Sequence, residues 1–169
     1  MINAIQWSKV EPLTMAAFLE RFSLHDSGLV DLHLDALGAA QLTVAVDRHW
    51  NAAVPAGHDT LVLRFERAYS LRWHQGSWCG SGLQGAESSI LDTAAREALF
   101  DSGEFDLSAY QGGRDEIPHP ADDSDLTLTR VAFSNWGALE ILHGRDVRAA
   151  VHSADDHVVD LSTLHTETA

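Results

Sequence analysis

SLHDSGLVDLHLDALGAAQLTVAVDRHW, residues 23–50, is the stretch on which the fold turns. Val30, Leu32 and Leu34 alternate with Asp31, His33 and Asp35, so an extended chain puts the apolar set on one side and the polar set on the other. Leu42, Val44 and Val46 repeat the pattern against Gln41, Thr43 and Ala45. Between the runs, Ala36-Leu37-Gly38-Ala39 supplies the glycine a tight reversal needs. Clean alternation fits an antiparallel sheet with one wet face better than a parallel sheet buried on both sides. The expectation is a hairpin whose apolar side, Val30 and Leu32 with Leu42 and Val44, is roofed by a helix.

That helix is supplied just upstream. Thr14 can cap a short segment in which Met15, Phe18, Leu19 and Phe22 recur at helical spacing. Downstream, Asn51–Asp59 reads as a turn. Leu61, Leu63, Phe65, Tyr69, Leu71 and Trp73 all hold odd positions, which predicts one long strand over 60–74, or two with a bulge near Ala68. Arg64, Arg67 and Arg72 in this stretch are expected to pair with carboxylates, not to bind phosphate. Ile90, Leu91, Ala94, Ala95, Ala98 and Leu99 share a helical face, with Ser89 and Asp92 resembling a capping box. A second helix is therefore predicted over 90–100, stopped by Gly103.

Leu126 and Leu128, then Val131 and Phe133 after a change of parity, predict a bulged strand. Asn135-Trp136-Gly137 turns the chain, and short strands follow around Leu139 and Ile141 and around Val147, Ala149 and Val151. The expected class is α+β: a single domain over 1–152, mainly antiparallel sheet with an N-terminal helix and one further helix. Residues 153–169 read as a polar tail that frays.

The chain has 169 residues, enough to bury a core without disulfides, and its one cysteine, Cys79, has no internal partner. With no basic-then-apolar leader and no apolar run near the roughly 20 residues that span a bilayer, a cytoplasmic, membrane-free location is expected. Eleven Lys and Arg stand against 25 Asp and Glu, a formal charge of −14. That sign argues against a phosphate-binding face and hence against nucleic acid. It suits a basic protein partner, because complementary fields speed encounter.

Residues 101–125 hold Pro118, Pro120, Gly112, Gly113 and eight carboxylates: Asp101, Glu104, Asp106, Asp115, Glu116, Asp122, Asp123 and Asp125. A connection of this length in a small domain is usually functional or mobile, which makes these eight the candidate partner-binding residues. Asp122-Asp123-Ser124-Asp125 lacks the spacing and distal Glu of a calcium loop.

Other chemical signals are weaker. Gly80-Ser81-Gly82-Leu83-Gln84-Gly85 matches the dinucleotide-binding pattern, but no βαβ alternation surrounds it, so no cofactor is expected. Cys79, Ser77 or Ser81 with His74 could furnish a nucleophile, yet no nucleophile elbow is present. His25, Asp26, His33 and Asp35, joined in the chain by His49, His58 and Asp59, form the candidate metal set, and His33 and Asp35 share one strand face. The alternative function they support is a metal-dependent hydrolase.

Leu24-His25-Asp26-Ser27 at the start of the hairpin, the strand Leu61–Phe65, and the late Gly137-Ala138-Leu139-Glu140-Ile141 resemble a group of small bacterial proteins. These are immunity proteins of polymorphic toxin systems, together with neighbouring uncharacterised families that share an HDS start and a G-x-L-x-I strand. The resemblance implies an antiparallel α+β domain that binds a partner without catalysis. It also implies that the segment near Ile90 is a strand. Independently of it, Asp26 or Ser27 can hydrogen-bond the backbone at a strand entrance. A third reading is a self-associating domain, a homodimer formed through an exposed strand edge.

Overall fold

The hairpin forms. β1 (Gly28–Leu34) pairs antiparallel with β2 (Ala40–Ala45), and Gly38 takes the left-handed conformation that the turn requires, φ 91°. The computed structural model describes residues 5–76, 83–103, 120–135, 137–153 and 157–163. Among these, β2 continues to β3 (Thr60–Phe65), and β3 to β8 (Val147–His152) and β9 (Val158–Asp160), giving a five-stranded sheet in the order β1-β2-β3-β8-β9. A second, four-stranded sheet runs β4-β7-β6-β5, from β4 (Ala68–Gln75), β5 (Ala86–Ile90), β6 (Thr127–Phe133) and β7 (Gly137–His143). Every pairing in both sheets is antiparallel, and with helices α1 (Met15–Arg21) and α2 (Thr93–Asp101) the class is α+β.

The main core lies between the two sheets. Leu42, Val44, Leu61, Leu63 and Phe65 from the first meet Val131, Leu139 and Ile141 from the second, while Met15 and Phe18 of α1 and Phe22 just after it close one side. Each such side chain contributes about 1.5–3 kcal/mol by leaving water. α1 starts as its spacing predicts: Thr14 accepts a hydrogen bond from the Ala17 amide at 3.1 Å. The roof over the hairpin is therefore a sheet together with a helix, not a helix alone.

The outer faces are covered too. Val62 and Ala150 pack under Ile5, Val10 and Trp7, and Tyr69, Leu126 and Leu142 pack with Leu91 and the partly buried Leu99 and Phe100 of α2. Two-sided burial explains the change of parity near Val131. β6 carries no bulge; Thr127, Thr129, Val131 and Phe133 face inward, and Leu128 belongs to the outer cluster.

Three further expectations are corrected. Leu42 and Val44 are buried, but Val30, Leu32 and Leu34 are 64, 37 and 58% exposed. Val30 is the extra residue of a bulge between Leu29 and Asp31, and β1 is an end strand, so the opposite sheet does not reach over its far half. The odd-numbered run over 60–74 takes the second of its two expected forms, two strands with a bulge between Ala68 and Ser70, and the chain crosses from one sheet to the other at Glu66-Arg67. The helix over 90–100 begins later, at Thr93, with Asp92 as its cap (Ala95 N to Asp92 Oδ1, 2.8 Å). Ser89 and Ile90 close β5 instead, pairing with Leu128 and Thr127. Finally, the segment read as a fraying tail contains β9 and the 3-10 turn Leu161–Thr163, and Leu161 is buried in the main core.

Candidate functional site

At the entrance to β1 the chain makes a tight turn. The Ser27 amide and hydroxyl both donate to the Leu24 carbonyl, at 3.2 and 2.5 Å, and Ser27 is fully buried. Asp26 takes a left-handed backbone conformation, φ 57°, which Asp tolerates better than most residues. Ser27 is thus the member of the triplet that holds the backbone, while Asp26 and the His25 ring turn outward.

A buried asparagine brings the third partner. Asn51 accepts from the Ser23 amide (2.8 Å) and donates to the Ser23 and Asp47 carbonyls (2.8 and 3.0 Å), clipping the 47–51 loop to the turn. Trp50 is thereby laid beside His25, ring centroids 4.2 Å apart, with its indole N–H donating to Asp26 Oδ2 at 3.1 Å. On the other side, the His25 Nε2–H donates to Gln84 Oε1 at 3.0 Å. Gly85 lies flat against this turn with φ 79°, and a Cβ there would come within 2.9 Å of the His25 amide nitrogen.

His25, Asp26, Gln84 and Gly85 wall one end of a cavity of about 250 Å³, completed by Gly76, Leu83, Ala132, Phe133, Ser134 and Gly137. Gly137 itself is overlaid by the Trp73 ring, which stacks on Phe133. His25 Nδ1 stands 2.8 Å from Asp26 Oδ2, within ion-pair distance. The Gln84 hydrogen bond raises the His25 pKa, and the Trp50 hydrogen bond lowers that of Asp26, so both charged forms are favoured. The ring's hydrogen-bond partner is an amide oxygen, which orients the imidazole.

The candidate metal set is divided. His25 and Asp26 are together, but Asp35 is engaged elsewhere: it caps its own turn by accepting from the Leu37 and Ala39 amides at 2.9 Å, and it pairs with Arg64 at 2.9 Å. Burial would raise its pKa, but the Ala39 amide and the Arg64 guanidinium prevail and hold it low. His33 is on β1 opposite Gln41; His49 meets Trp50 edge-on, 5.2 Å between centroids; His58 Nδ1–H donates to the Ala56 carbonyl; and Asp59 pairs with Arg48. Among the described residues no group of three His, Cys, Asp or Glu is placed to share a metal ion. Ser77, Cys79, Ser81 and the first glycines of the G-x-G-x-x-G run lie outside the described residues.

The acidic set is divided as well. Asp101, at the end of α2, and Asp122 are exposed, and Asp125 is half-buried. Glu104, Asp106, Asp115 and Glu116 lie outside the described residues. Asp123 belongs to the interior. It accepts from the Tyr69 hydroxyl at 2.8 Å and the Asp125 amide at 3.1 Å, pairs with Arg67 at 3.2 Å, and its carbonyl accepts from Arg96 at 2.9 Å. Burial, then the Asp123 carboxylate, push the Tyr69 pKa up. A surface role for Asp123 is therefore withdrawn.

The arginines pair as expected: Arg64 with Asp35 and Glu66, Arg67 with Asp123, and Arg72 with Glu140 at 3.8 Å. Trp50 and Gln84 were not legible as partners of His25, since neither lies at a spacing that signals it. Comparison with family models, with curated proteins and with solved structures yields no match for this chain.

Proposed function

We propose that the protein is a non-catalytic binding module of the immunity type, which engages a basic protein partner through an acidic face built on α2 and the adjoining turn. The observation that carries this reading is the disposition of charge on α2. Asp92, Glu97 and Asp101 are exposed, while Arg96, the helix's one cation, reaches inward to the Asp123 carbonyl. Exposed Asp122 closes the short 3-10 turn Pro120–Asp122 next to that contact. The helix therefore offers solvent carboxylates without compensating cations. A net charge of −14 extends the same sign over the molecule, and the sheet arginines Arg130 and Arg148 are themselves paired with Glu140 and Glu66.

The resemblance of the LHDS turn and the late G-x-L-x-I strand to immunity proteins supports the same class of partner, a toxin enzyme with a basic surface. Such a face acts by steering, raising the association rate at low salt, and by covering the basic substrate site of the partner once docked. The test is co-expression with a toxin domain encoded beside this gene, and binding of the purified pair at low and high salt. Protection of the cell, and an association rate that falls steeply with ionic strength, are expected. Reversing Asp92, Glu97, Asp101 and Asp122 to lysine should abolish both. Binding that ignores salt and the four reversals would refute the proposal.

A further inference from the structure

β1 is an end strand whose one hydrogen-bonded neighbour in the sheet is β2. Its first residues are closed off, because the Asn135 side chain accepts from the Leu29 amide at 3.3 Å and donates to the Leu29 carbonyl at 2.9 Å. Beyond the bulge at Val30, no other strand among the described residues pairs with this margin. The Asp35 amide donates to the Ala39 carbonyl across the turn. Bonding alternates along an antiparallel strand, so Asp31 and His33 direct their main-chain groups toward β2, and Leu32 and Leu34 direct theirs away. The side chains of Val30, Leu32 and Leu34 are among the large apolar groups left exposed. Lysine and proline, two of the devices that protect such an edge, are missing from 28–34, and the strand is seven residues long.

We propose that this edge pairs antiparallel with the same edge of a second copy, on a twofold axis through Leu32. In that register Leu32 faces Leu32, each giving its amide to the other's carbonyl, and Val30 faces Leu34. Asp31 faces His33 twice, and an imidazole N–H donates to a carboxylate at both places. The neighbouring registers are unfavourable. An axis on His33 sets the two imidazoles against each other and Asp31 against Asp35, and an axis on Asp31 opposes two aspartates and runs into the end already held by Asn135. A strand complementary to itself in one register and self-repelling in the next fits a second copy of the chain as its occupant. The contact is short, so it forms at tens to hundreds of micromolar protein, not at nanomolar levels.

Sedimentation equilibrium over that range at neutral pH tests it, with circular dichroism confirming that each variant is folded. The wild-type protein is expected to follow a monomer–dimer equilibrium. His33→Asp should weaken it by roughly tenfold, since two attractive cross-strand pairs become repulsive. The exchanged double variant D31H/H33D should restore it, and Leu32→Lys should leave a monomer. A wild-type protein that stays monomeric throughout would overturn the proposal. So would a dimer that H33D and L32K leave unchanged, or one that the double exchange fails to restore.

Discussion

His143 is fully enclosed in the main core, where its Nδ1–H donates to the Gly144 carbonyl at 2.6 Å and its Nε2 lies 2.7 Å from the Thr129 hydroxyl. The Thr129 oxygen is in turn 3.1 Å from Ser88 Oγ. Nδ1 must carry a proton to satisfy the carbonyl, so neutral His143 accepts at Nε2 and the chain of hydroxyls is satisfied. Burial pushes its pKa down to about 4, from 6.5 in the unfolded chain. Between these values the unfolded state binds a proton that the folded state refuses, so stability falls as pH is lowered through that window and the loss is complete below about 4. The whole effect is about 3 kcal/mol. Urea unfolding between pH 7 and 4 should show it, and His143→Gln should flatten the slope over that interval. Asp123 makes a second case. Asp123→Ala leaves the Tyr69 hydroxyl and the Arg67 guanidinium without their carboxylate and should cost about 2–4 kcal/mol in chemical denaturation, while an exposed neighbour, Asp122→Ala, should cost under about 0.5 kcal/mol. Nothing in the run Asp122-Asp123-Ser124-Asp125 distinguishes these residues in advance. Tyr69 and Arg67, which select Asp123, lie more than fifty residues away in the chain, so this part of the candidate site was beyond sequence reading.

Among the elements, those whose signal is local were legible and those whose surroundings are remote were not. α1 begins after Thr14 because a hydroxyl cap and an apolar stripe sit within one short segment. The helix later in the chain starts three residues after the point its spacing predicts, because Ile90 and Leu91 continue the apolar pattern backward, while Ile90 is claimed by β5 in pairing with β6 and Leu91 by a backbone bond to Leu126. The terminal segment shows the same limit. Residues 158–160, Val-Val-Asp, are too few to announce a strand, yet they complete the five-stranded sheet and deliver Leu161 to the core. Leu161→Ala should therefore destabilise the protein by about 2–4 kcal/mol, the usual cost of a large cavity, as read from the shift of its urea midpoint. A fraying tail would give a change near zero.

For the molecule as a whole, a charge of −14 sets carboxylates against one another across the surface. The arginine pairs on the sheets are mostly half-exposed and weakly stabilising, so screening should relieve more repulsion than it removes attraction. The melting temperature is expected to rise from low salt to about 0.15 M sodium chloride, measured by differential scanning fluorimetry. A fall would mean that the ion-pair network outweighs the net charge. By itself the sequence determined the local matters: the hairpin and its turn, the first helix and its cap, the predominance of antiparallel strands, and the sign of the surface charge. Each is written in residues a few places apart, where periodicity and capping act. The tertiary structure alone decided that there are two sheets instead of one, that the chain crosses between them at Glu66-Arg67, that Asp123 is interior, and that the far half of β1 keeps its leucines in water. Those outcomes depend on which distant surface comes to rest on a given face, and an alternating pattern states that a strand has an apolar side without stating what will cover it.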